Sequence, residues 1–314
     1  MKHWSNGMMA ILVSALLALA ACAAPVAPAP PAGSSPVAAT PDYAQARVSY
    51  LGPEGTYTQE ACALFFADEG TYLPQEDVAS SVRMLKEGTA DFAVIPQENT
   101  IGGAIGEYLD EIVGDETLAV VGEVELSINQ NLLAKPGAAL AGIERVYSHK
   151  QGIAQGTAWL AEHLPEAEVI EVSSTAEGAR LAAEDGSGAS AAIGSAAAAE
   201  VYGLEVTAEA IQMNSANKTR FYVLVMADPA AEPSDRMAFT ASGDAGDLAE
   251  LLESAENLGL EIVAVHDRPE KTELGRYTYL VECTGGGSDA FVALERSRPE
   301  FDLRYLGSFP LVAR

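Results

Sequence analysis

From Val48 to Val225 the chain repeats one unit: a short apolar run, a polar loop, then residues with apolar positions on one helical face. Residues 48–51 read as a first strand, after which Thr58 is placed to cap a helix with Ala61, Leu64 and Phe65 on one side. Residues 92–95 form a second apolar run, stopped by Pro96 and followed by a polar loop and a helix over 105–113. Strand, loop and helix recur from Arg145 to His163, and again at 169–172, where Ser174-Thr175-Ala176-Glu177 has capping-box spacing. The run 189–193 leads through Ser195 into an alanine-rich helix closed by Gly203, and 221–225 is a further buried strand. Such alternation predicts an α/β fold with mostly parallel sheets, whose ligands bind at the carboxyl ends of the strands. The loops at 52–58, 97–103, 148–152, 173–175 and 217–220 all qualify. No glycine-rich nucleotide fingerprint follows any strand, and no Cys/His cluster has metal-ligand spacing, so neither a cofactor nor a metal is expected.

Beyond a linker at 229–233 the pattern changes. Strand 237–241, helix 246–258, strands 261–265 and 277–283, helix 288–296 and strand 303–309 give the βαββαβ order of a ferredoxin-like unit.

The charge narrows the partners. With 18 Lys and Arg against 45 Asp and Glu the net charge is −27, which argues against nucleic acid and against an anionic lipid surface. Residues 42–226 hold 28 acids and nine bases, so an anionic ligand there depends on a few named bases or on helix N-termini.

The N-terminus reads as an address. Lys2 precedes an apolar run over 8–21 broken only by Ser14, and Leu19-Ala20-Ala21-Cys22 resembles a bacterial lipobox. Residues 1–21 are then a signal peptide, Cys22 the acylated first residue, and 22–46 a Pro/Ala-rich tether. The expected location is outside a bacterial membrane, on the periplasmic side in a Gram-negative cell. An uncleaved anchor or an ordinary cleavable signal are the alternatives. Cys62 and Cys283 fall in different expected domains and read as buried apolar fillers rather than a pair.

Five ordered segments carry a family resemblance: Tyr50-Leu51-Gly52-Pro53-Glu54-Gly55-Thr56-Tyr57, Pro96-Gln97-Glu98-Asn99-Thr100, Ser148-His149-Lys150-Gln151, Ser174-Thr175-Ala176 and Asn217-Lys218-Thr219-Arg220-Phe221. In this order the chain resembles the prephenate dehydratases over about residues 47–312. The resemblance implies a two-lobed catalytic domain like a periplasmic binding protein over 47–227 and an ACT regulatory domain over 235–314. It implies loss of CO2 and water from prephenate to give phenylpyruvate, in phenylalanine biosynthesis. Thr219 would then assist the departing hydroxyl, and Arg220 would fork onto a carboxylate. Phe221, Glu98, Asn99, Thr100, Thr56, Ser148, His149, Gln155, Ser174 and Thr175 are the implied substrate contacts. Lys218 and Arg220 would supply the scarce positive charge.

The chain departs from the family pattern at Thr100, where Ser is usual, at Met213, where Asp is usual, and at Gly156, where Cys is common. Met213 puts the geometry of the loop before Thr219 in question. In the ACT-like unit the implied effector site comprises Gly246, Leu248, Arg268 and Pro269, where L-phenylalanine would bind between paired domains of a homodimer or homotetramer. Asp247 and Asp267 place carboxylates where the effector's own carboxylate must lie, so weak inhibition is expected. Two other readings stand beside this one: dehydration of arogenate, and a solute-binding lipoprotein serving a transporter.

Overall fold

The computed structural model describes residues 43–226 and 228–314. The expected signal, Cys22 and the tether as far as residue 42 lie outside the described residues. The chain begins with β1 (Arg47–Leu51), α1 (Tyr57–Phe66), β2 (Thr71–Gln75), α2 (Val78–Lys86), β3 (Phe92–Asn99), the short β4 (Gly103–Ala104), α3 (Gly106–Val113) and β5 (Leu118–Ser127). It then crosses to a second lobe of β6 (Asn131–Ala134), β7 (Arg145–Ser148), α4 (Lys150–His163), β8 (Glu168–Glu171), α5 (Thr175–Glu184), β9 (Ser190–Gly194), α6 (Ala196–Tyr202) and β10 (Glu205–Ala208). The return strand β11 (Lys218–Met226) enters the first sheet between β5 and β3. The two crossings are bonded together at the hinge, Ile128 N–H to Asn217 O at 2.8 Å and Ile211 N–H to Gln130 O at 2.8 Å.

A third sheet follows, built from β12 (Arg236–Asp244), α7 (Leu248–Asn257), β13 (Glu261–Pro269), β14 (Arg276–Thr284), α8 (Ser288–Ser297) and β15 (Asp302–Phe309). Its order β13-β14-β12-β15, antiparallel throughout, is the ferredoxin-like arrangement that the βαββαβ pattern predicts. Several elements have no counterpart in the sequence reading: β2, α2, β4, β5, β6 and β10 in the two lobes, and one more strand at the tail. The tail forms β16 (Leu311–Ala313), which returns to the first sheet and pairs in parallel with β5.

The sheets are mixed rather than mostly parallel. β1 runs parallel to β2 and β3, and β7 runs parallel to β8 and β9. β11 is antiparallel to both β3 and β5, and β6 is antiparallel to β9 and β10. A chain that leaves a lobe and comes back must reverse direction at the hinge, and apolar runs carry no sign of direction. This reversal brings the first residues of β11, rather than a loop, to the carboxyl ends of β1 and β3.

Period-two alternation along β11 divides the core. Phe221 and Val223 pack with Tyr50, Val94 and the α1 residues Ala61, Cys62 and Phe66. Tyr222 and Leu224 face the other way, into a core shared by α2, α3 and the third-sheet residues Ala238, Leu280, Leu306 and Phe309. The third sheet is thus fused to the back of the first. Cys62 and Cys283 are buried free thiols, and burial raises the pKa of both.

Candidate active site

Between the two lobes lies a cleft of about 770 Å³. Four helices point their N-termini at it, through Thr56–Thr58 of α1, Ile105–Tyr108 of α3, His149–Gly152 of α4 and Ser173–Thr175 of α5. Three of these ends are capped by side chains predicted from sequence to be functional. Thr56 accepts from Gln59 N–H, His149 Nδ1 from Gln151 N–H at 3.4 Å, and Ser174 Oγ from Glu177 N–H at 2.9 Å. Thr56, not Thr58, is the α1 cap, because Gly55 turns the chain at φ +80° and helix begins at Tyr57. Only glycine fits at 55: a Cβ would also stand 3.1 Å from the Ala198 Cα of α6. The same turn is tied to the second lobe by Ser195 Oγ donating to Gly55 O at 3.1 Å and Tyr202 OH donating to Glu54 O at 2.8 Å.

The sharpest geometry surrounds Thr219, which is 8% exposed. Asn99 Oδ1 accepts the backbone N–H groups of Ile101 at 2.9 Å and Gly102 at 3.1 Å, which fixes the amide. Its Nδ2 must then donate, and reaches Thr219 Oγ1 at 2.9 Å, Asn217 Oδ1 at 2.9 Å and Lys218 O at 3.1 Å. With Thr219 Oγ1 already accepting, its own proton has no acceptor among the described residues, and the side chain lines the cleft. Asn217 also donates to Gln155 Oε1 of α4 at 3.2 Å, closing the lobes over one side. Met213 is exposed, yet its backbone N–H bonds Gln155 O at 3.0 Å, so the loop before Thr219 stays anchored without the family's Asp.

His149 is a neutral donor. Burial, with Lys150 beside it, lowers its pKa, and the cap on Nδ1 leaves the proton on Nε2. Tyr57 OH donates to Asn129 O at 2.7 Å or to Gln130 Oε1 at 3.2 Å, and burial drives its pKa up.

The structure brings Thr219, Phe221, Asn99, Thr56, His149, Gln155, Ser174 and Thr175 to the cleft. It does not bring Arg220, Glu98, Ser148 or Thr100 there. Arg220 shares the face of Tyr222, so strand alternation turns it behind the sheet. There it pairs with Glu123 and Glu282, and reaches Glu98 at 3.1 Å. Glu98 lies beside His266 Nε2 at 3.9 Å, on the third-sheet side. Ser148 is fully buried and donates to Ile193 O at 2.8 Å, under the start of α4. Thr100 pins the hinge, accepting from Lys218 N–H at 3.0 Å and donating to Ala216 O at 3.2 Å. Lys218 also points away, to Glu125.

Among the described residues no lysine or arginine lines the cleft, while Glu76 and Glu107 do. The expectation that Lys218 and Arg220 would hold an anion is therefore overturned. The donors that remain are helix N-termini, amides and hydroxyls. Sequence reasoning missed Gln130 and the 104–106 segment, and it quoted Asn217, Tyr57 and Gln151 within the family segments without giving them a substrate contact. The polar run Asn129-Gln130-Asn131, beside an apolar strand, was the available signal for Gln130.

Arg220 sits in a buried charge cluster. Glu123 is fully buried and Glu282 is 1% exposed. Tyr222 OH donates to Glu282 Oε2 at 2.6 Å, and Arg236 Nε stands 3.3 Å from each carboxylate. Burial, reinforced by Glu282, pushes the Glu123 carboxyl up to about 7. Burial works against the Arg220 charge, but Glu282 and Glu123 outweigh it and hold that pKa above its ordinary value.

Comparisons with known proteins show the family. The family model for prephenate dehydratase matches residues 48–229. The chain is similar to the bifunctional chorismate mutase/prephenate dehydratase of Neisseria gonorrhoeae, 38% identical over 269 residues, covering 84% of this chain and 74% of that protein. It is also similar to the prephenate dehydratase of Mycobacterium tuberculosis, 32% identical over 280 residues and covering 87% of that protein. Among solved structures, the prephenate dehydratase of Arthrobacter aurescens in complex with L-Phe matches with a TM-score of 0.72 and 31% identity, over 84% of this chain and 90% of that one. The chain belongs to the prephenate dehydratase family.

Proposed function

We propose that this protein is a lyase that converts prephenate to phenylpyruvate. The observation that carries the reading is the Thr219 hydroxyl, held by Asn99 with its proton free toward a cleft ringed by helix N-termini. Prephenate is a dianion. One carboxylate leaves as CO2, its bonding electrons enter the ring, and the ring hydroxyl departs with the electrons of its C–O bond. Thr219 donates a hydrogen bond to that oxygen as negative charge develops on it, and solvent supplies the proton that completes water. The helix N-termini hold the carboxylates, each offering unpaired N–H groups and the positive end of its dipole. The test is turnover: purified protein given prephenate should produce the absorbance of phenylpyruvate. Binding without turnover would instead support a solute-binding role, and arogenate run alongside separates the two dehydrations.

The third sheet is read as an ACT regulatory domain, paired in a homodimer or homotetramer, on the strength of its fold and its position after the catalytic lobes. The Arthrobacter relative binds L-Phe; here exposed Asp247 and Asp267 add negative charge at the corresponding segments, which supports only weak inhibition. Export with a lipid on Cys22 rests on the lipobox-like Leu19-Ala20-Ala21-Cys22 alone. Its test is mass spectrometry of the membrane fraction, where Cys22→Ser should abolish the acyl mass.

A further inference from the structure

Helix α3 belongs to the first lobe by sequence, yet the third sheet holds it at both ends. Its first turn, from Gly106 to Tyr108, lines the cleft, and no side chain caps it, since the cap position is Ile105. From β13, Arg268 sends Nε to Asp110 Oδ1 at 2.6 Å and Nη2 to Oδ2 at 2.9 Å, a planar two-bond fork. The same guanidinium lies against Gly106, where an added Cβ would stand 2.9 Å from Arg268 Cζ. From β15, Arg304 donates to Ile112 O at 2.6 Å and to Asp115 O at 2.8 Å, taking carbonyls that the helix end leaves unpaired. Arg268 is thus committed to α3 rather than to the open face of its own sheet.

We propose that Arg268 is a positioning residue for the dehydratase reaction: by gripping Asp110 and Gly106 it sets the first turn of α3 against the substrate. The inference rests on the dehydratase reading. It makes the placement of the third sheet felt in the cleft through one side chain, and a methyl at residue 106 would displace the guanidinium.

Steady-state kinetics on the full folded chain test it. Arg268→Ala should raise KM for prephenate about tenfold while kcat stays within about twofold, the signature of lost binding-site placement. Asp110→Ala should do the same, and the double variant should be no worse than either single, because both remove one tie. Arg268→Lys keeps the charge but not the fork and should fall between. Gly106→Ala should raise KM less in the Arg268→Ala background than in the wild type. Should Arg268→Ala prove insoluble, Asp110→Asn, at a partly exposed side chain, reads the same contact. An active wild type whose Arg268→Ala and Asp110 variants keep KM, or whose effects add, overturns the proposal. A wild type with no turnover overturns the dehydratase reading instead.

Discussion

The Asn99 amide decides where the Thr219 proton points, and one substitution reverses it. In Asn99→Asp the oxygen that accepts from Ile101 N–H at 2.9 Å and Gly102 N–H at 3.1 Å is kept, while the bonds that Nδ2 gives to Asn217 Oδ1 and Lys218 O are lost. The second carboxylate oxygen replaces Nδ2, 2.9 Å from Thr219 Oγ1. A carboxylate only accepts, so Thr219 must now donate to it, in a charge-assisted bond about twice as strong as a neutral one. The hydroxyl is still present and in place, but its proton is withdrawn from the leaving oxygen. Losing one preorganised donor of this kind costs about 10²–10³ in kcat, or about 3–4 kcal/mol. Asn99→Asp should therefore lose nearly as much rate as Thr219→Ala, and the double variant should lose little more, since both abolish one hydrogen bond. Thr219→Ser should retain most of the rate. Initial rates of phenylpyruvate formation at saturating prephenate measure all four, with thermal melts confirming that each variant folds. A kcat for Asn99→Asp within about threefold of wild type would refute the assigned direction of the Asn99–Thr219 bond, because a withdrawn donor cannot leave the rate near normal.

Other consequences follow from the buried cluster and the acidic surface. Arg220→Ala strands Glu123 and Glu282 without their main cation and should cost about 3–5 kcal/mol, lowering the thermal midpoint by about 10 °C, with KM nearly unchanged. A stable Arg220→Ala variant with sharply raised KM would place that side chain in the cleft after all. Because the Glu123 carboxyl is pushed from an ordinary 4.5 up to about 7, the folded protein binds more protons than the unfolded one between those values. Its contribution to stability is therefore full below that window and lost as pH rises through 7. Thermal midpoints from pH 5 to 8 should fall more steeply in the wild type than in Glu123→Gln, and identical slopes would show that Glu123 does not titrate there. With a net charge of −27 and no lysine or arginine among the described residues lining the cleft, raising salt from about 10 to 150 mM should lower KM for the dianion, by about threefold. A KM that rises with salt would point to a basic side chain at the site. L-Phenylalanine should inhibit only weakly, and Asp267→Ser should strengthen inhibition; strong inhibition of the unaltered chain would refute the charge argument.

The elements that were legible, such as β1, β3, β7, β9 and β11 with α1, α3, α4 and α5, were so because burial writes itself into sequence with a period of two or 3.6 residues, whereas β2, α2, β5, β6 and β10 were not read. Also legible were the cap at Ser174 and the closing Gly203, where local chemistry alone sets the outcome. Strand direction was not, because it is fixed at the hinge by pairings between residues about eighty positions apart, such as Ile211 with Gln130. The short β16 was missed for a related reason: three residues carry no periodicity, and its partner β5 lies far back in the chain. Arg220 is the instructive error. The motif Thr219-Arg220-Phe221 was read as a cluster of functional side chains, yet a strand cannot present three successive residues to one face. Alternation alone would have sent Thr219 and Phe221 to one side and Arg220 to the other.

That division explains how so acidic a chain can be asked to hold a dianion. A guanidinium in the cleft would have to be matched by acids or left exposed, and here both nearby bases are spent elsewhere, Lys218 on Glu125 and Arg220 on Glu123 and Glu282. Positive potential in the cleft instead comes from helix ends, each equivalent to about half a charge, three of them capped by a side chain. Four such ends add to about two charges, enough to face two carboxylates, without a flexible side chain whose ordering would cost entropy. The arrangement also suits a reaction in which one of the two charges leaves as CO2. Backbone dipoles hold their geometry as the negative charge moves from carboxylate to departing hydroxyl, so stabilisation is already in place when the charge arrives at the oxygen facing Thr219. It follows that the cleft is sensitive to where its helices sit rather than to which bases it carries, and α3, whose first turn no side chain caps, is the one that the third sheet can move.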